Sequence, residues 1–402
     1  MKLLCLGLAW GSLFSLAAAE TSPGEWKPLF PDQNSFAGFR QLGGKAHYEI
    51  KDGLVTGTSV AGEPNSFMAT EKEFGDFELE YEFQVDEKLN SGVQIRSHSV
   101  PSFKKGQVHG YQVEIDPSAR AWSGGIYEEG RRGWLAPLDQ NKAAGAAFKH
   151  KDWNKVRVRA VGDSIQTWIN EVPAADLRDA MDQSGFIALQ VHGVGKDASK
   201  VGTKVQWRNL RLKELGAHCW QPLFDGKSLS GWQTEPGGEW KVEDSAIHGT
   251  SPASEARHGM LLYEKPLSDF TLRLNFKVNR GNSGVYFRSE KVAEGVSVHG
   301  IQAEVCENED TGGLYETGGR GWLVQPDKAR MQKEKVYQPG QWNEIWISAH
   351  GKRLVVHVNG KKTADFTDEK QTRLSGLLGL QLHGGQDMDV QFKDLALLTP
   401  GQ

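Results

Sequence analysis

The stretch Phe77-Glu-Leu-Glu-Tyr-Glu-Phe-Gln-Val85 alternates apolar and polar side chains without a break, and Phe270-Thr-Leu-Arg-Leu-Asn-Phe-Lys-Val278 does the same later in the chain. Successive side chains of a β-strand point to opposite faces, so each stretch predicts a strand with one face on a core and one in water. Helical spacing is scarce. The 47 glycines and 13 tryptophans among 402 residues are typical of a turn-rich β protein. We therefore predict an all-β chain built as β-sandwiches.

The two strands belong to a duplication that spans nearly the whole chain. Each copy has about 190 residues, which is far longer than a solenoid repeat of roughly 20–50 residues. This predicts two tandem domains, residues 20–213 and 219–400, joined by a short connection. The repeated motifs include Trp26-Lys-Pro-Leu-Phe30 with Trp220-Gln-Pro-Leu-Phe224, Asn90-Ser-Gly-Val-Gln-Ile-Arg96 with Asn282-Ser-Gly-Val-Tyr-Phe-Arg288, and Trp153-Asn154 with Trp342-Asn343.

The first residues predict export. Met1-Lys2 precedes a short apolar run that ends in Ala17-Ala-Ala19, which is the pattern of a secretory signal peptide over residues 1–19. We therefore expect a secreted or periplasmic protein. No later segment is apolar enough to span a membrane, and a net charge of -4 gives no electrostatic reason to expect nucleic acid as a partner.

Alternation also predicts which polar side chains share a face. In the first copy Arg96, Gln112, Glu114, Gln190 and His192 fall opposite their apolar neighbours. The polar face of an antiparallel sheet often only meets water. Recurrence of the pattern favours a functional surface, and histidine can exchange a proton near neutral pH. The second copy supplies Arg288, Gln302, Glu304, Gln381 and His383.

Loop residues add candidate contacts to a sugar. A loop tryptophan offers a flat apolar plate to a pyranose ring, and a nearby arginine donates hydrogen bonds to hydroxyl groups. The alternative is that each tryptophan anchors its loop to the sandwich, that each tyrosine is a core aromatic, and that each histidine caps a turn. The candidates are His109, Tyr127, Arg132 and Trp134 in the first copy and His299, Tyr315, Arg320 and Trp322 in the second.

A divalent metal is a further candidate ligand, although no cofactor is certain. Glu114, Asp116 and His192 are donors of the type that binds such ions. Cys306 stands in the place of Asp116 in the second copy, so the copies need not bind or react alike.

The ordered motifs resemble the 3-keto-disaccharide hydrolase family, whose fold is a concanavalin A-like jelly-roll sandwich. Leu223-Phe-Asp-Gly-Lys-Ser-Leu-Ser-Gly-Trp232 opens a copy, Gly110-Tyr-Gln-Val-Glu-Ile-Asp116 forms a central strand, and Leu-Gln-x-His-Gly closes both copies. The resemblance covers residues 24–213 and 219–398. It implies two tandem jelly-roll sandwiches that act on carbohydrate.

The resemblance implies cleavage of glycosides that carry a ketone at C3. Such a ketone acidifies the proton on C2, so a base can remove it and the substituent on C1 can leave, with hydration afterwards. His192 and His383 are the candidate bases. The groups that would stabilise the enolate oxygen are Arg96 and Arg288, or a metal held by Glu114 and Glu304.

Two alternatives remain open at this level. Glu114 and Asp116 lie two apart on one strand, about 6.5–7 Å between Cα atoms, which suits an inverting two-carboxylate glycosidase. The other alternative is a pair of lectin-like modules that bind carbohydrate without catalysis, because fold alone does not imply activity.

Overall fold

The computed structural model describes residues 24–293, 297–371 and 373–401. The signal peptide predicted at residues 1–19 lies outside them. Within the described residues the chain forms thirty strands and two short helices, arranged as two successive units of two antiparallel sheets each. The prediction of an all-β chain with two tandem jelly-roll sandwiches is confirmed.

The first unit contains fifteen strands. Its back sheet has the order β13-β12-β11-β6-β15-β4-β3, with β1 added beside β15, and its front sheet has the order β10-β9-β8-β7-β14-β5-β2. The strands are β1 Lys27–Pro28, β2 Phe39–Gly43, β3 His47–Lys51, β4 Leu54–Thr58, β5 Ser66–Thr70, β6 Asp76–Val85, β7 Ser91–His98, β8 His109–Ile115, β9 Ile126–Glu129, β10 Gly133–Ala136, β11 Asn154–Val161, β12 Ser164–Ile169, β13 Val172–Arg178, β14 Phe186–Val191 and β15 Lys204–Gly216.

The second unit repeats this arrangement. Its back sheet has the order β18-β19-β30-β21-β26-β27-β28, with β16 beside β30, and its front sheet has the order β17-β20-β29-β22-β23-β24-β25. The strands are β16 His218–Pro222, β17 Trp232–Glu235, β18 Glu239–Glu243, β19 Ala246–Ser251, β20 Gly259–Tyr263, β21 Phe270–Arg280, β22 Asn282–Lys291, β23 Val298–Cys306, β24 Leu314–Thr317, β25 Gly321–Val324, β26 Asn343–His350, β27 Arg353–Val358, β28 Lys361–Thr367, β29 Leu377–Leu382 and β30 Met388–Pro400.

The helices are α1 Lys142–Ala147 and α2 Lys328–Lys333, one at the same place in each unit. The side chains of Asn141 and Asp327 accept a hydrogen bond from the first turn of α1 and α2 respectively, so each helix begins at a capped end. Among the described residues, no helix has both the length and the apolar character needed to cross a membrane.

The alternating strands β6 and β21 lie at the centre of the two back sheets, as their patterns predict. Phe77, Leu79 and Phe83 of β6 are fully buried in the core between the sheets, whereas Glu80 and Glu82 lie on the outer face. Each unit has its own hydrophobic core between its two sheets. One face of each sheet is therefore buried in that core, and its outer face is free for a site.

The two units meet through polar contacts. β15 continues past residue 213 to Gly216, and β16 begins at His218, so Ala217 alone links the strands. Nδ1 of His218 lies 2.5 Å from Oδ2 of Asp76. The hydroxyls of Thr271 and Ser348 donate to the buried carboxylate of Asp163 at 2.8 and 2.5 Å. Buried hydrogen-bonded carboxylates of the first unit therefore bind side chains of the second.

Candidate active site

The outer face of the first unit's front sheet holds a cavity of about 360 Å³. Strands β8 and β14, which lie on either side of β7, contribute side chains from alternate positions that point away from the core. The side chains that line it are Asn65, Asn90, Gln112, Glu114, Arg120, Tyr127, Glu129, Trp134, Gln190 and His192. The structure thus brings together six of the residues predicted for the first copy, which are Gln112, Glu114, Tyr127, Trp134, Gln190 and His192.

Glu114 lies at the floor of the cavity and is only 4% exposed. Nδ2 of Asn90 donates to its Oε1 at 2.6 Å, and Nε2 of Gln112 donates to its Oε2 at 2.7 Å. Burial raises the pKa of Glu114 to about 7, because removal from water disfavours the charged form more than these hydrogen bonds favour it. The carboxyl group can therefore gain or lose a proton near neutral pH.

A chain of glutamines supports Gln112. Nε2 of Gln94 and Nε2 of Gln190 both donate to Oε1 of Gln112, at 2.6 and 2.8 Å. These bonds orient the amide so that its NH2 group faces Glu114. Oε1 of Gln190 is buried without a hydrogen-bond partner in the described part of the chain. A buried acceptor of this kind is suited to a donor from a ligand, such as a sugar hydroxyl.

His192 stands at the rim of the cavity, just after β14, and is exposed. Its Nδ1 lies 2.8 Å from the carbonyl oxygen of Gly193. A carbonyl oxygen can only accept, so Nδ1 carries the proton in the neutral ring and Nε2 keeps the lone pair. The ring therefore presents a basic nitrogen that the carbonyl contact leaves free.

Arg120 is a site residue that the sequence analysis missed. Its Nε donates to Oδ2 of Asp116 at 2.8 Å, and its guanidinium lies 4.6 Å from the ring centre of Trp122 and 4.9 Å from that of Trp134. One of its NH2 nitrogens is 3.8 Å from Oε1 of Glu114. Asp116 and the two tryptophans thus orient a positive charge at the wall of the cavity.

Arg96 and Arg288 do not lie on the polar face, so their predicted placement is wrong. Arg96 has a φ of 44° and Arg288 a φ of 48°, and the pairing of each strand with its neighbour shifts at that point. Such a bulge reverses the alternation of side chains. Arg96 is fully buried and donates to the back sheet at Asp76, while Arg288 donates to the carbonyl oxygen of Gly351.

Four further predicted contacts also lie away from the cavity. Arg132 is held by Glu128 and by Asp179, the latter at 2.8 Å, and Arg320 is held in the same way by Glu316 and Asp368. Their guanidinium groups anchor loops rather than face the cavity. His109 is buried and stacks on Phe103 with ring centres 4.0 Å apart, and the carbonyl oxygen of His299 accepts from Arg373.

The predicted metal ligands Glu114, Asp116 and His192 do not converge. Asp116 accepts hydrogen bonds from the backbone N–H of Ser118 and from Arg120, and these outweigh burial and lower the pKa of its carboxyl group. Glu114 is turned toward Asn90 and Gln112. Over the described ranges, no group of three His, Cys, Asp or Glu side chains has the arrangement needed to hold a metal ion. These donors therefore do not fit a divalent cation.

The second unit keeps the central pair and changes its surroundings. Nε2 of Gln302 donates to Oε1 of Glu304 at 2.6 Å, and burial raises the pKa of Glu304 to about 7. Nδ1 of His383 lies 2.8 Å from the carbonyl oxygen of Gly384, as in the first unit. Nε2 of Gln381 donates to the hydroxyl of Tyr286, which stands in the place of Gln94.

The loop after β23 is shorter than its counterpart after β8. Residues 306–312 replace residues 116–124, so the second unit has no equivalent of Arg120 or Trp122. Trp322 consequently lacks the partners that cover Trp134, and it is 39% exposed. It packs edge-on against Tyr315, with ring centres 5.5 Å apart. The second front sheet thus offers an aromatic plate and a buried carboxyl group without the oriented guanidinium.

Three known proteins are similar to parts of this chain. A 3-keto-disaccharide hydrolase from Bacteroides thetaiotaomicron is 24% identical over 156 residues, which cover 34% of this chain and 53% of that protein. The chain thus spans about half the length of this curated relative. The solved structure of the carbohydrate-binding module CBM66 from Bacillus subtilis has a TM-score of 0.35 and 18% identity, and the match covers 43% of this chain and 98% of the module. A Bacillus subtilis protein of unknown function with a galectin-like fold also has a TM-score of 0.35, with 11% identity over 46% of this chain and 100% of that protein.

The family comparison covers both units. Residues 25–213 and residues 219–398 each match the model of the 3-keto-alpha-glucoside-1,2-lyase-like domain. The matches begin and end close to the limits of the two sandwiches and include the carboxyl groups, glutamines and histidines described above. The chain therefore belongs to the family of 3-keto-alpha-glucoside-1,2-lyase-like domains, and it contains that domain twice.

Proposed function

We propose that the first unit cleaves glycosides that carry a ketone at C3, by elimination followed by hydration. The observation that carries the proposal is the placement of Glu114 and His192 on one cavity, the first buried with its pKa raised to about 7 and the second with Nε2 free to accept a proton. The relative from Bacteroides thetaiotaomicron, a 3-keto-disaccharide hydrolase, supports the choice of substrate.

His192 acts as the base in this proposal. Its Nε2 takes the proton from C2, and the electron pair of the C2–H bond moves toward the C3 carbonyl to form an enolate. The hydrogen bond from Nδ1 to Gly193 supports the resulting imidazolium, because the carbonyl oxygen stabilises the charged ring.

Glu114 acts as the acid. Each of its oxygens already accepts one hydrogen bond, so neither Asn90 nor Gln112 offers an acceptor for the proton of the neutral carboxyl group. That proton is available to the glycosidic oxygen. As the enolate collapses, its electrons form the C1–C2 double bond, the C1–O bond breaks, and the aglycone leaves with the proton from Glu114. Addition of water across the double bond then gives the free 3-keto sugar.

Arg120 takes the role that the sequence analysis gave to Arg96. A guanidinium fixed by Asp116 and two tryptophans can stabilise the enolate oxygen without reorganising during the reaction. Trp134 and Tyr127 supply apolar contact to the sugar ring, and Oε1 of Gln190 accepts a hydroxyl hydrogen. The rival two-carboxylate mechanism is disfavoured because Asp116 is occupied by Arg120.

For the second unit we propose carbohydrate binding without turnover. The absence of a counterpart to Arg120 and the exposure of Trp322 favour this, since an aromatic plate can still bind a sugar ring when the enolate stabiliser is missing. We further propose that the chain is secreted or periplasmic after loss of residues 1–19, which rests on the apolar run and the alanines before Glu20.

The test is to incubate the purified chain with an alkyl 3-keto-glucoside, whose leaving group needs a proton, and to measure aglycone release. The His192→Ala and Glu114→Gln variants should each lose release, whereas the matched second-unit variants His383→Ala and Glu304→Gln should keep it. Wild-type protein that binds the 3-keto-glucoside but releases no aglycone would replace the proposal by the lectin-like alternative.

A further inference from the structure

Two repeated tryptophan motifs take no part in the candidate active site. Trp26 and Trp153 of the first unit, and Trp220 and Trp342 of the second, lie outside both hydrophobic cores. Trp342 is 36% exposed, and the other three are half-buried. Tryptophan is enriched at interfaces, where its ring offers a large apolar surface and its N–H can donate a hydrogen bond. Its recurrence at two places in each unit needs an explanation other than core packing.

Trp26 and Trp153 both lie on the outer face of the first unit's back sheet. They line a groove of about 920 Å³, more than twice the volume of the cavity on the front sheet. A bulge in β15 between Arg208 and Arg211 shapes this part of the sheet, where the pairing with β6 shifts and Asn209 has a φ of 54°. We call this feature the back-sheet groove and define it by Trp26, Trp153, Glu80, Glu82, Arg208 and Arg211.

The second unit repeats the bulge but only part of the groove, because Trp342 does not line it and Arg273 and Asn275 stand in the places of Glu80 and Glu82. The pairing of β21 with β30 shifts at the corresponding place, where Asp394 has a φ of 55°. A smaller groove of about 400 Å³ lies there, lined by Trp220 and Arg273 among others. The guanidinium of Arg273 lies 4.4 Å from the ring centre of Trp220, and Nζ of Lys393 lies 4.2 Å from that of Trp342.

The charges inside the back-sheet groove are paired. The guanidinium of Arg208 lies 4.0 Å from the ring centre of Trp153 and 2.7 Å from the carboxylate of Glu82. Arg211 lies 4.9 Å from the ring centre of Trp26 and 2.6 Å from the carboxylate of Glu80. The groove therefore presents fixed donors and acceptors beside aromatic rings, with little net charge to attract an ion.

We propose that the back-sheet groove of the first unit binds a neutral oligosaccharide, separately from the candidate active site. A sugar ring has an apolar C–H face that suits an indole and hydroxyl groups that both donate and accept, which matches paired carboxylates and guanidinium groups. An anionic chain would meet Glu80 and Glu82, and a cationic one would meet Arg208 and Arg211. The inference does not depend on the proposed reaction, because no residue of the groove lines the front-sheet cavity.

The test uses the full chain with cellohexaose and maltohexaose as probes, in titration calorimetry. The double variant Trp26→Ala/Trp153→Ala should bind at least one probe at least tenfold more weakly than wild type, while Trp26→Phe/Trp153→Phe, which keeps the aromatic rings, should lose less. Trp168→Ala is the matched control. Trp168 also lies beneath an arginine, with the Arg157 guanidinium 5.0 Å away, but it does not line the groove.

Two further readouts separate the groove from the active site. Aglycone release from a small 3-keto-glucoside should be unchanged in the double variant, and Trp134→Ala should leave the affinity for the hexasaccharide intact. The proposal is overturned if wild type binds neither probe, if the alanine double variant binds as tightly as wild type, or if Trp134→Ala alone removes binding.

Discussion

Replacing Glu114 by glutamine tests the acid role of this carboxyl group. The variant keeps the shape of the side chain and removes the transferable proton. Loss of a general acid slows a reaction by roughly 10²–10⁴-fold. The effect should depend on the leaving group. A 3-keto-glucoside with an alkyl aglycone needs a proton on the departing oxygen, whereas 4-nitrophenolate leaves readily without one.

The pH dependence follows from the raised pKa. Because the acid form of Glu114 predominates below about 7, release of the alkyl aglycone by the wild-type chain should fall as the pH rises above that value. The Glu114→Gln variant should lose this basic limb. Release of 4-nitrophenolate should depend far less on the substitution, since only the His192 step is then required.

The same carboxyl group makes a stability prediction with a defined sign. Its pKa rises from 4.5 in the unfolded chain to about 7 in the folded one, so the stability it contributes is present below pH 4.5 and is lost as the pH rises through 7. The shift corresponds to about 3 kcal/mol. The stability of the Glu114→Gln variant has no such pH dependence. The NH2 group of the new glutamine faces a donor, Asn90 or Gln112, which leaves a buried N–H without an acceptor and costs about 1–3 kcal/mol. The variant should therefore be the less stable protein at pH 5, and the gap should close by pH 8.

The assay pairs initial rates on the two substrates with urea unfolding at both pH values. Glu304→Gln is the matched control, because Glu304 has the same glutamine donor and a pKa also raised to about 7. Equal slowing of the alkyl and nitrophenyl substrates would refute the acid role. Slowing by Glu304→Gln as large as that by Glu114→Gln would refute the assignment of turnover to the first unit.

Three more measurements address other parts of the structure. His192→Ala should stop release of both aglycones while changing the free energy of unfolding by less than about 1 kcal/mol, because the ring is exposed; a melting temperature several degrees lower would indicate a structural role instead. Arg120→Gln should lower kcat by about 10²-fold with a small change in KM, and a larger change in KM than in kcat would contradict the role of Arg120. Treatment with a chelator should leave the wild-type rate unchanged, and a chelator-sensitive rate would contradict a reaction without a metal ion. Burial lowers the pKa of His357, which lies 3.7 Å from Asp179, to about 4. The unfolded chain therefore binds a proton at this residue more readily than the folded one, and the free energy of unfolding should decrease as the pH falls from 6.5 toward 4. In urea unfolding, His357→Asn should lose less stability over this range, and a pH profile identical to that of wild type would refute the contribution of His357.

The fold could be predicted from the sequence because the physical signal that specifies its strands is local. Alternation over residues 77–85 and 270–278 determines which face of each strand lies on the core. The burial of β6 follows it residue by residue, and that of β21 does so except at Thr271, which is buried beside Asp163 of the first unit. The same rule placed Gln112, Glu114 and Gln190 correctly on the polar face. It failed at Arg96, because the positive φ of this residue interrupts the alternation within β7 and no pattern of apolar and polar residues marks that change.

Arg120 was missed for a different reason. Apart from Asp116, the candidate site residues recur in both copies, whereas Arg120 lies in the segment where the copies differ in length. The length difference between residues 116–124 and 306–312 was the available signal. A loop that is longer in one copy, and that carries an arginine and a tryptophan beside a strand with a buried carboxyl group, is a place where a site can gain a function.

Repetition within the chain therefore marks folding requirements as readily as it marks function. The pairs Arg96 with Arg288 and Arg132 with Arg320 recur because each arginine binds a carboxylate that anchors the sandwich. The glutamine–glutamate pair on the front sheet also recurs, and it provides a buried proton-binding group in both units. What distinguishes the units chemically is the unrepeated guanidinium of Arg120 beside that group. If turnover needs a positive charge at the enolate oxygen, only the first unit can supply it from the loop that carries Arg120. The second unit keeps only groups that can bind a sugar.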